Sequence, residues 1–157
     1  VLEKRAAAAA GINEKIFINT KGQISEGTVC NVFFVRKNMI YTPQLSCGLL
    51  PGILREYIME RFQVTETIIY PDELMYYEEC FVTNSLMGVM PVRQLGNICF
   101  PHRAKADEVR EVYEKEKMSL AQMMIEEKEP VDKISKYTGY AIDKLKEIAA
   151  AMGQTLV

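Results

Sequence analysis

The sequence contains no tryptophan, a single histidine and no Cys-x-x-Cys pair. His102 and the four cysteines lack the spacing of a zinc site, and Cys30, Cys47, Cys80 and Cys99 lack that of a disulfide framework. We therefore interpret all four cysteines as reduced thiols, which is typical of a cytoplasmic protein.

The chain also lacks a long apolar run and an excess of charge of either sign. No apolar stretch approaches the roughly 20 residues that span a bilayer, so we expect no membrane partner. A net charge of −2 gives no electrostatic basis for binding nucleic acid. With 48% hydrophobic and 25% charged residues among 157, the composition is that of a globular protein, not a disordered or fibrous one.

The amino-terminal stretch VLEKRAAAAAGINEK has neither an initiator methionine nor the apolar core of a signal peptide. We therefore expect the chain to be part of a longer protein. Residues 2–10 are strong helix formers followed by Gly11, which suits a helix C-terminus.

Alternating apolar residues predict a β-rich region after this helix. Strands are expected at residues 15–20, 29–36 and 39–42, the first two as a hairpin-like pair around Gly22 and the last two joined around Lys37 and Asn38. Further strands are expected in VTETIIY, ECFVTNSLMGVMPV and RQLGNICF, with a turn or short helix in PDELMYYEE. Pro51 precedes ILREYIMERF, whose periodic apolar face predicts a helix packed on the strands.

From about Ala104 the pattern becomes helical, with breaks at Pro130 and Gly139. We predict a β-rich domain over residues 1–117 and a helical tail over residues 118–157. The lysines of the tail are offset by acidic residues, so a helical docking or dimer contact is favoured over a helix-turn-helix reader of DNA.

The stretch GQISEGTVCNVFFV raises a question, because Glu26 stands between two apolar, strand-like runs. A carboxylate buried in a core must be paired or it takes up a proton. A cationic group is therefore expected beside Glu26.

Three stretches, NTKGQISEGTVCNVFFV, YTPQLSCGLLPGILRE and CFVTNSLMGVMPV, resemble motifs of the fold-type IV (class IV) aminotransferase family in order and approximate spacing. The resemblance covers residues 1 to about 117. It implies an α+β fold, namely the β-rich C-terminal domain of a class IV aminotransferase-like enzyme followed by a helical extension. It also implies pyridoxal 5'-phosphate as the cofactor.

The resemblance assigns the first cofactor contacts. Glu26 matches the glutamate that holds the proton on the cofactor's ring nitrogen, so the pyridinium would be the expected cation. Gly52, Ile53 and Leu54 match the helix start whose free N–H groups bind the phosphate. Many members of the family have threonine where Leu54 stands, so one hydroxyl contact is missing here.

The TNSLMG stretch resembles a second phosphate and substrate-carboxylate loop. By resemblance, Ser85 and the backbone of Leu86 match the contacting positions, while Thr83 and Asn84 orient the loop. Asn31 matches a family asparagine that acts as a structural hydrogen-bonding residue.

The Schiff-base lysine of the family has no match in this chain. The resemblance puts it a few residues upstream of Val1, and Lys4, Lys15, Lys21 and Lys37 do not correspond to it. The small N-terminal domain of the family is also missing. We assign no catalytic residue in this chain and expect it to be inactive alone.

The motifs look most like 4-amino-4-deoxychorismate lyase, which forms p-aminobenzoate and pyruvate in folate biosynthesis. The branched-chain aminotransferases usually have an acidic residue near Cys30 and a threonine at position 54, which disfavours that branch. A D-amino-acid aminotransferase and a non-catalytic interaction module remain alternatives. The resemblance further implies a small-molecule substrate and a homodimer in the full-length form.

Overall fold

The computed structural model describes residues 2–157, with the side chains of Leu2 and Lys4 outside that description. The described helices are α1 (Leu2–Ala9), α2 (Ile53–Arg61), α3 (Ala104–Glu126), α4 (Val131–Thr138) and α5 (Ile142–Ala151). The described strands are β1 (Ile16–Ile18), β2 (Ile24–Gly27), β3 (Asn31–Arg36), β4 (Met39–Pro43), β5 (Val64–Thr67), β6 (Glu79–Asn84), β7 (Gly88–Val92), β8 (Gln94–Leu95) and β9 (Ile98–Cys99).

The fold is α+β, and the chain divides into two compact units, Val1–Arg110 and Glu111–Val157. The first unit holds all the described strands, and the second is helical. The predicted domain boundary at 117/118 lies seven residues further along α3 than this division and stays a prediction.

The first hairpin differs from the prediction in its second strand. β1 pairs antiparallel with β2, across a turn in which Gly22 has a φ of 76°. The expected pairing of β1 with the VCNVFFV segment is wrong, because that segment forms β3 in a different sheet. The ISEG strand contains only one large apolar residue, so its pattern did not predict a strand.

β3 and β6 lie at the centre of a mixed five-stranded sheet with the order β5-β4-β3-β6-β7. β4 and β5 are parallel, and the other neighbours are antiparallel. The β3–β4 turn is formed by Lys37 and Asn38, with φ of 49° and 63°. Two successive positive φ values match the right-handed twist of a hairpin, so the predicted turn is confirmed.

Side chains of β3 and β6 alternate between the two faces of this sheet. Val32, Phe34, Cys80 and Val82 enter an apolar cluster together with Ile24, Ile69, Leu74 and Phe100. On the opposite face the rings of Phe33 and Phe81 stack at 4.9 Å. The sheet is therefore buried on both faces at its centre, which holds the strand ends in fixed positions.

The second unit, Glu111–Val157, has an apolar core of its own. Its buried members are Ala121, Met124, Ile125, Ile134, Leu145, Ile148 and Ala149. Gly139 ends α4 with a φ of 72°, so the predicted helix stop there is confirmed. No helix among the described residues is both long and apolar enough to cross a membrane.

Candidate functional site

A cavity of about 260 Å³ lies at the sheet edge where β3 begins and β6 ends. Asn31 and Thr83 are register partners in the antiparallel β3–β6 pair, so the start of one strand meets the end of the other. The cavity is lined by Glu26, Asn31, residues 52–54 and residues 83–85. The structure thus brings together every residue assigned from the sequence except Leu86.

Glu26 projects from β2 and is partly exposed at the rim of this cavity. Its Oε2 accepts a hydrogen bond from the N–H of Leu50 at 3.0 Å. The partner seen for this carboxylate among the described residues is thus a backbone N–H group.

The segment before α2 is fixed by Asn31. Its Nδ2 donates to the carbonyl of Leu50 at 2.8 Å. A Cβ atom added to Gly52 would lie 2.3 Å from Asn31 Oδ1, so the backbone approaches this side chain more closely than any other residue type allows. Leu50 is consequently held through both its N–H, by Glu26, and its C=O, by Asn31.

Helix α2 begins at Ile53, after Gly52 in an extended conformation. The first intrahelical bond at this end runs from the N–H of Glu56 to the carbonyl of Gly52, at 3.0 Å. The N–H groups of Ile53 and Leu54 therefore have no acceptor within the helix, and both residues line the cavity. Leu54 is only 3% exposed, whereas Ile53 is 78% exposed.

The β6–β7 turn is organised by Asn84. Its Oδ1 accepts from the N–H of Leu86 at 2.9 Å and of Met87 at 2.7 Å. Its Nδ2 donates to the carbonyl of Val29 at 3.1 Å, across the cavity rim. The N–H of Leu86 is therefore already engaged, and its side chain is 96% exposed away from the cavity lining. Ser85, in contrast, is an exposed residue of the lining.

Thr83 carries a polar atom with no hydrogen-bond partner. The residue is 1% exposed, and its Oγ1 is buried without an acceptor or donor among the described residues. An unsatisfied buried hydroxyl costs about 1–3 kcal/mol. A ligand or a water molecule that hydrogen-bonds this hydroxyl would remove that cost.

Sequence reasoning missed Glu14, which lies between α1 and β1. Its Oε1 accepts from both the N–H of Thr28, at 3.1 Å, and the Thr28 hydroxyl. Cys30 Sγ lies 3.7 Å from its Oε2. Fourteen residues separate Glu14 from Thr28, so no local pattern could have linked them.

Of the lysines whose side chains the structure describes, none lines the cavity. Lys15 Nζ forms an ion pair with Glu3 at 3.0 Å. Lys21 and Lys37 are exposed. The side chain of Lys4, which did not match the family lysine, lies outside the described residues.

Residues 1–95 match the family described as amino-transferase class IV. A probable branched-chain-amino-acid aminotransferase of Thermotoga maritima is 36% identical over 90 residues, 54% of this chain and 33% of that protein. The aminodeoxychorismate lyase of Bacillus subtilis is 32% identical over 90 residues, 54% of this chain and 31% of the enzyme. The chain thus spans about a third of the length of these relatives.

Among solved structures, the branched-chain amino acid aminotransferase from Thermobaculum terrenum in its PLP-form has a TM-score of 0.60 and 27% identity. The match covers 69% of this chain and 40% of that enzyme. The similarity therefore extends to the fold.

Proposed function

The chain belongs to the class IV aminotransferase family, and from this we propose that it forms one wall of a pyridoxal 5'-phosphate site in a longer enzyme. Members of the family use this cofactor. The observation that carries the proposal is the meeting of Glu26, residues 52–54 and Ser85 around a single cavity. These are the groups that the family motifs assign to the ring nitrogen and the phosphate.

The residues present fit the cofactor. The buried Thr83 hydroxyl lacks a partner among the described residues, and the N–H groups of Ile53 and Leu54 have no acceptor within α2. Both features suit a wall that binds a polar ligand. The cavity, at about 260 Å³, is slightly smaller than most small-molecule pockets, which hold about 300–1,000 Å³. A second wall from the missing part of the enzyme would enlarge it.

Pyridoxal phosphate, when bound, supplies an electron sink for a carbanion next to its ring. Glu26 would support that chemistry, because its carboxylate would accept the ring N–H and keep the nitrogen protonated. The Leu50 N–H, bonded at Oε2, orients this carboxylate and leaves Oε1 as an acceptor. A group that acts in this way stabilises the transition state more than the bound ground state.

The phosphate would be held by other residues of the same cavity lining. The N–H groups of Ile53 and Leu54 lie at the positive end of the α2 dipole, which favours an anion. The Ser85 hydroxyl adds a donor from the β6–β7 turn. Leu54 contributes no hydroxyl, so backbone groups carry more of the phosphate binding here than where threonine stands.

For the reaction of the whole enzyme we propose aminodeoxychorismate lyase, on the basis of the LSCGLLPGILR and TNSLMGVMPV motifs. A branched-chain aminotransferase is the second candidate, because the Thermotoga maritima relative is slightly more similar than the lyase relative, 36% against 32%. In both cases the lysine that carries the cofactor would be provided by the sequence upstream, and the enzyme would be a homodimer.

The cofactor proposal is tested with this chain and pyridoxal phosphate in equilibrium dialysis. We expect reversible binding that Ser85→Ala weakens and that the control Ser46→Ala, on an exposed residue outside the cavity lining, leaves unchanged. Borohydride treatment should leave no stoichiometric adduct on one lysine. Absence of saturable binding, or equal affinity of both variants and the wild type, would contradict the proposal.

The reaction is tested with the longer enzyme. We expect pyruvate release from aminodeoxychorismate, and Glu26→Gln should lower kcat by roughly 10²–10³-fold, as for other groups that stabilise transition-state charge, with the cofactor retained. The control Glu60→Gln alters an exposed ion pair with Arg61 and should keep full activity. Amino transfer to branched 2-oxo acids without pyruvate release would favour the aminotransferase. Unchanged turnover in Glu26→Gln would contradict the role of Glu26.

A further inference from the structure

Residues 27–30, which begin with the last residue of β2, form a turn between Glu26 and Asn31 at the start of β3, and they line the cavity. We propose that Glu14, which does not line the cavity, is a positioning residue that fixes this turn and thereby the direction of the Glu26 carboxylate. The inference rests on the proposed function, since it assigns Glu14 a role in that same site.

The contacts of Glu14 concentrate on this turn. Oε1 accepts from the N–H and the hydroxyl of Thr28, and Oε2 lies 3.7 Å from the Cys30 thiol. Oε1 also accepts from the N–H of Lys15 at 2.9 Å, which orients the carboxylate within its own segment. Hydrogen bonds to an ionised carboxylate are stronger than those between neutral groups. Glu14 therefore holds the turn more firmly than a neutral side chain would.

The turn has little room to adjust if this support is lost. The N–H of Gly27 donates to the carbonyl of Cys30 at 2.7 Å. A Cβ atom on Gly27 would lie 2.3 Å from Cys30 Sγ and 3.4 Å from Glu14 Cδ. Asn84 holds the other side of the turn through the carbonyl of Val29, at 3.1 Å. Glu14 and Asn84 thus hold the turn from two sides, and Glu14 is the charged residue of the two.

Glu14 is connected to Glu26 through the pairing of β1 with β2. Ile16, two residues after Glu14, is the register partner of Gly27 in the β1–β2 pair. Glu14 therefore anchors the segment that leads into β1 to the turn at the residue next to Glu26. Release of the turn would change the backbone angle at Gly27 and rotate the carboxylate away from the Leu50 N–H.

The test compares three variants of this chain, Glu14→Ala, Glu14→Gln and the control Glu3→Ala. The control removes another glutamate of the amino-terminal segment, one whose ion pair is with Lys15 and not with the turn. The first readout is amide hydrogen exchange at Leu50 without cofactor, measured against Phe33 as a reference for global opening. The second is the nitrogen-15 chemical shift of the ring in labelled pyridoxal phosphate, together with its dissociation constant.

We expect Glu14→Ala to speed Leu50 exchange at least tenfold with Phe33 unchanged, and to move the ring nitrogen toward its unprotonated shift with weaker binding. Glu14→Gln should show smaller changes of the same kind, because its amide oxygen still accepts from Thr28; it also serves as the test if Glu14→Ala fails to fold. Wild-type exchange at Leu50 in Glu14→Ala, or in Glu14→Gln where only that variant folds, would overturn the inference. Absence of cofactor binding by the wild type would contradict the proposed function instead, while Leu50 exchange would still test Glu14.

Discussion

Individual residues of the site differ in the hydrogen bonds that their side chains form. Glu26 is bonded by the N–H of Leu50, Asn84 satisfies two N–H groups of its own turn, and Thr83 Oγ1 has no partner among the described residues. The bonds of Glu26 and Asn84 are thus made within the protein, as in a binding site that forms before its ligand arrives.

At the same scale, Asp107 gives the first unit an acid-sensitive contact. Arg103 donates to this carboxylate from two nitrogens, at 2.9 and 2.8 Å, and Arg110 adds a third bond at 2.8 Å. The hydrogen bond from Arg103, aided by the charges of Arg103 and Arg110, lowers the pKa of Asp107 below its ordinary value. Its contribution to stability is therefore full above the ordinary pKa of about 3.9 and is lost as the pH falls through the lowered value.

We expect Asp107→Asn to lower the unfolding temperature at neutral pH and to converge with the wild type as the pH falls through the lowered pKa of Asp107. Asp132→Asn, which alters an exposed aspartate at the start of α4, is the control and should show no such convergence. Thermal unfolding followed by circular dichroism from pH 7 to pH 2 measures the unfolding temperatures of both variants and the wild type. A difference between Asp107→Asn and the wild type that is constant with pH would contradict the assignment.

The sequence predicted the residues of the cavity better than their partners. Glu26, Gly52 and Ser85 stand in motifs, so the resemblance located them. Glu14 and the unpaired hydroxyl of Thr83 depend on contacts between distant segments, which no local pattern records. Glu26 was expected inside or at the rim of a core, and the structure leaves it partly exposed in the cavity lining with a backbone donor.

At the scale of elements, the junction between β3 and α2 depends on the absence of a side chain at Gly52. The Cβ atom of an alanine would lie 2.3 Å from Asn31 Oδ1, so one of the two segments would have to move. We expect Gly52→Ala to lower the free energy of unfolding by about 1–3 kcal/mol, the usual cost of overpacking. Equilibrium unfolding in denaturant measures this free energy.

The matched experiment is a double-mutant cycle with Asn31→Ala, which removes the atom that the new methyl group meets. Gly52→Ala should cost less in the Asn31→Ala background than in the wild type, with a coupling of about 0.5–3 kcal/mol. Additive effects of the two substitutions would show that the close contact does not set the cost.

Turns and helix ends that carry a strong local sequence signal were predicted correctly, whereas the pairing of strand β2 was not. The turn at Lys37 and Asn38 and the helix stop at Gly139 were predicted from turn residues alone, because the signals lie next to the structure they cause. β2 was missed as a partner of β1 because its strand is short and carries Glu26 and Gly27. Its pairing is decided by the rest of the fold, not by its own propensity.

At the scale of the whole molecule, each unit has its own apolar core. Leu145 is fully buried in the core of the second unit. We expect Leu145→Ala to destabilise that unit by about 2–5 kcal/mol, because it leaves a cavity. Hydrogen exchange should rise at Ile148 and not at Phe33, while the exposed control Lys144→Ala should change neither. An equal rise at Ile148 and Phe33 would show that the two cores unfold together.

Leu50 takes part in the site through its main-chain N–H and C=O groups. Its N–H and C=O are both bonded by site residues, while its side chain is 73% exposed. The position therefore contributes through its main chain and tolerates exchange of its side chain. A fluorophore on Leu50→Cys would sit at the mouth of the cavity on a fixed backbone and report directly on what enters it.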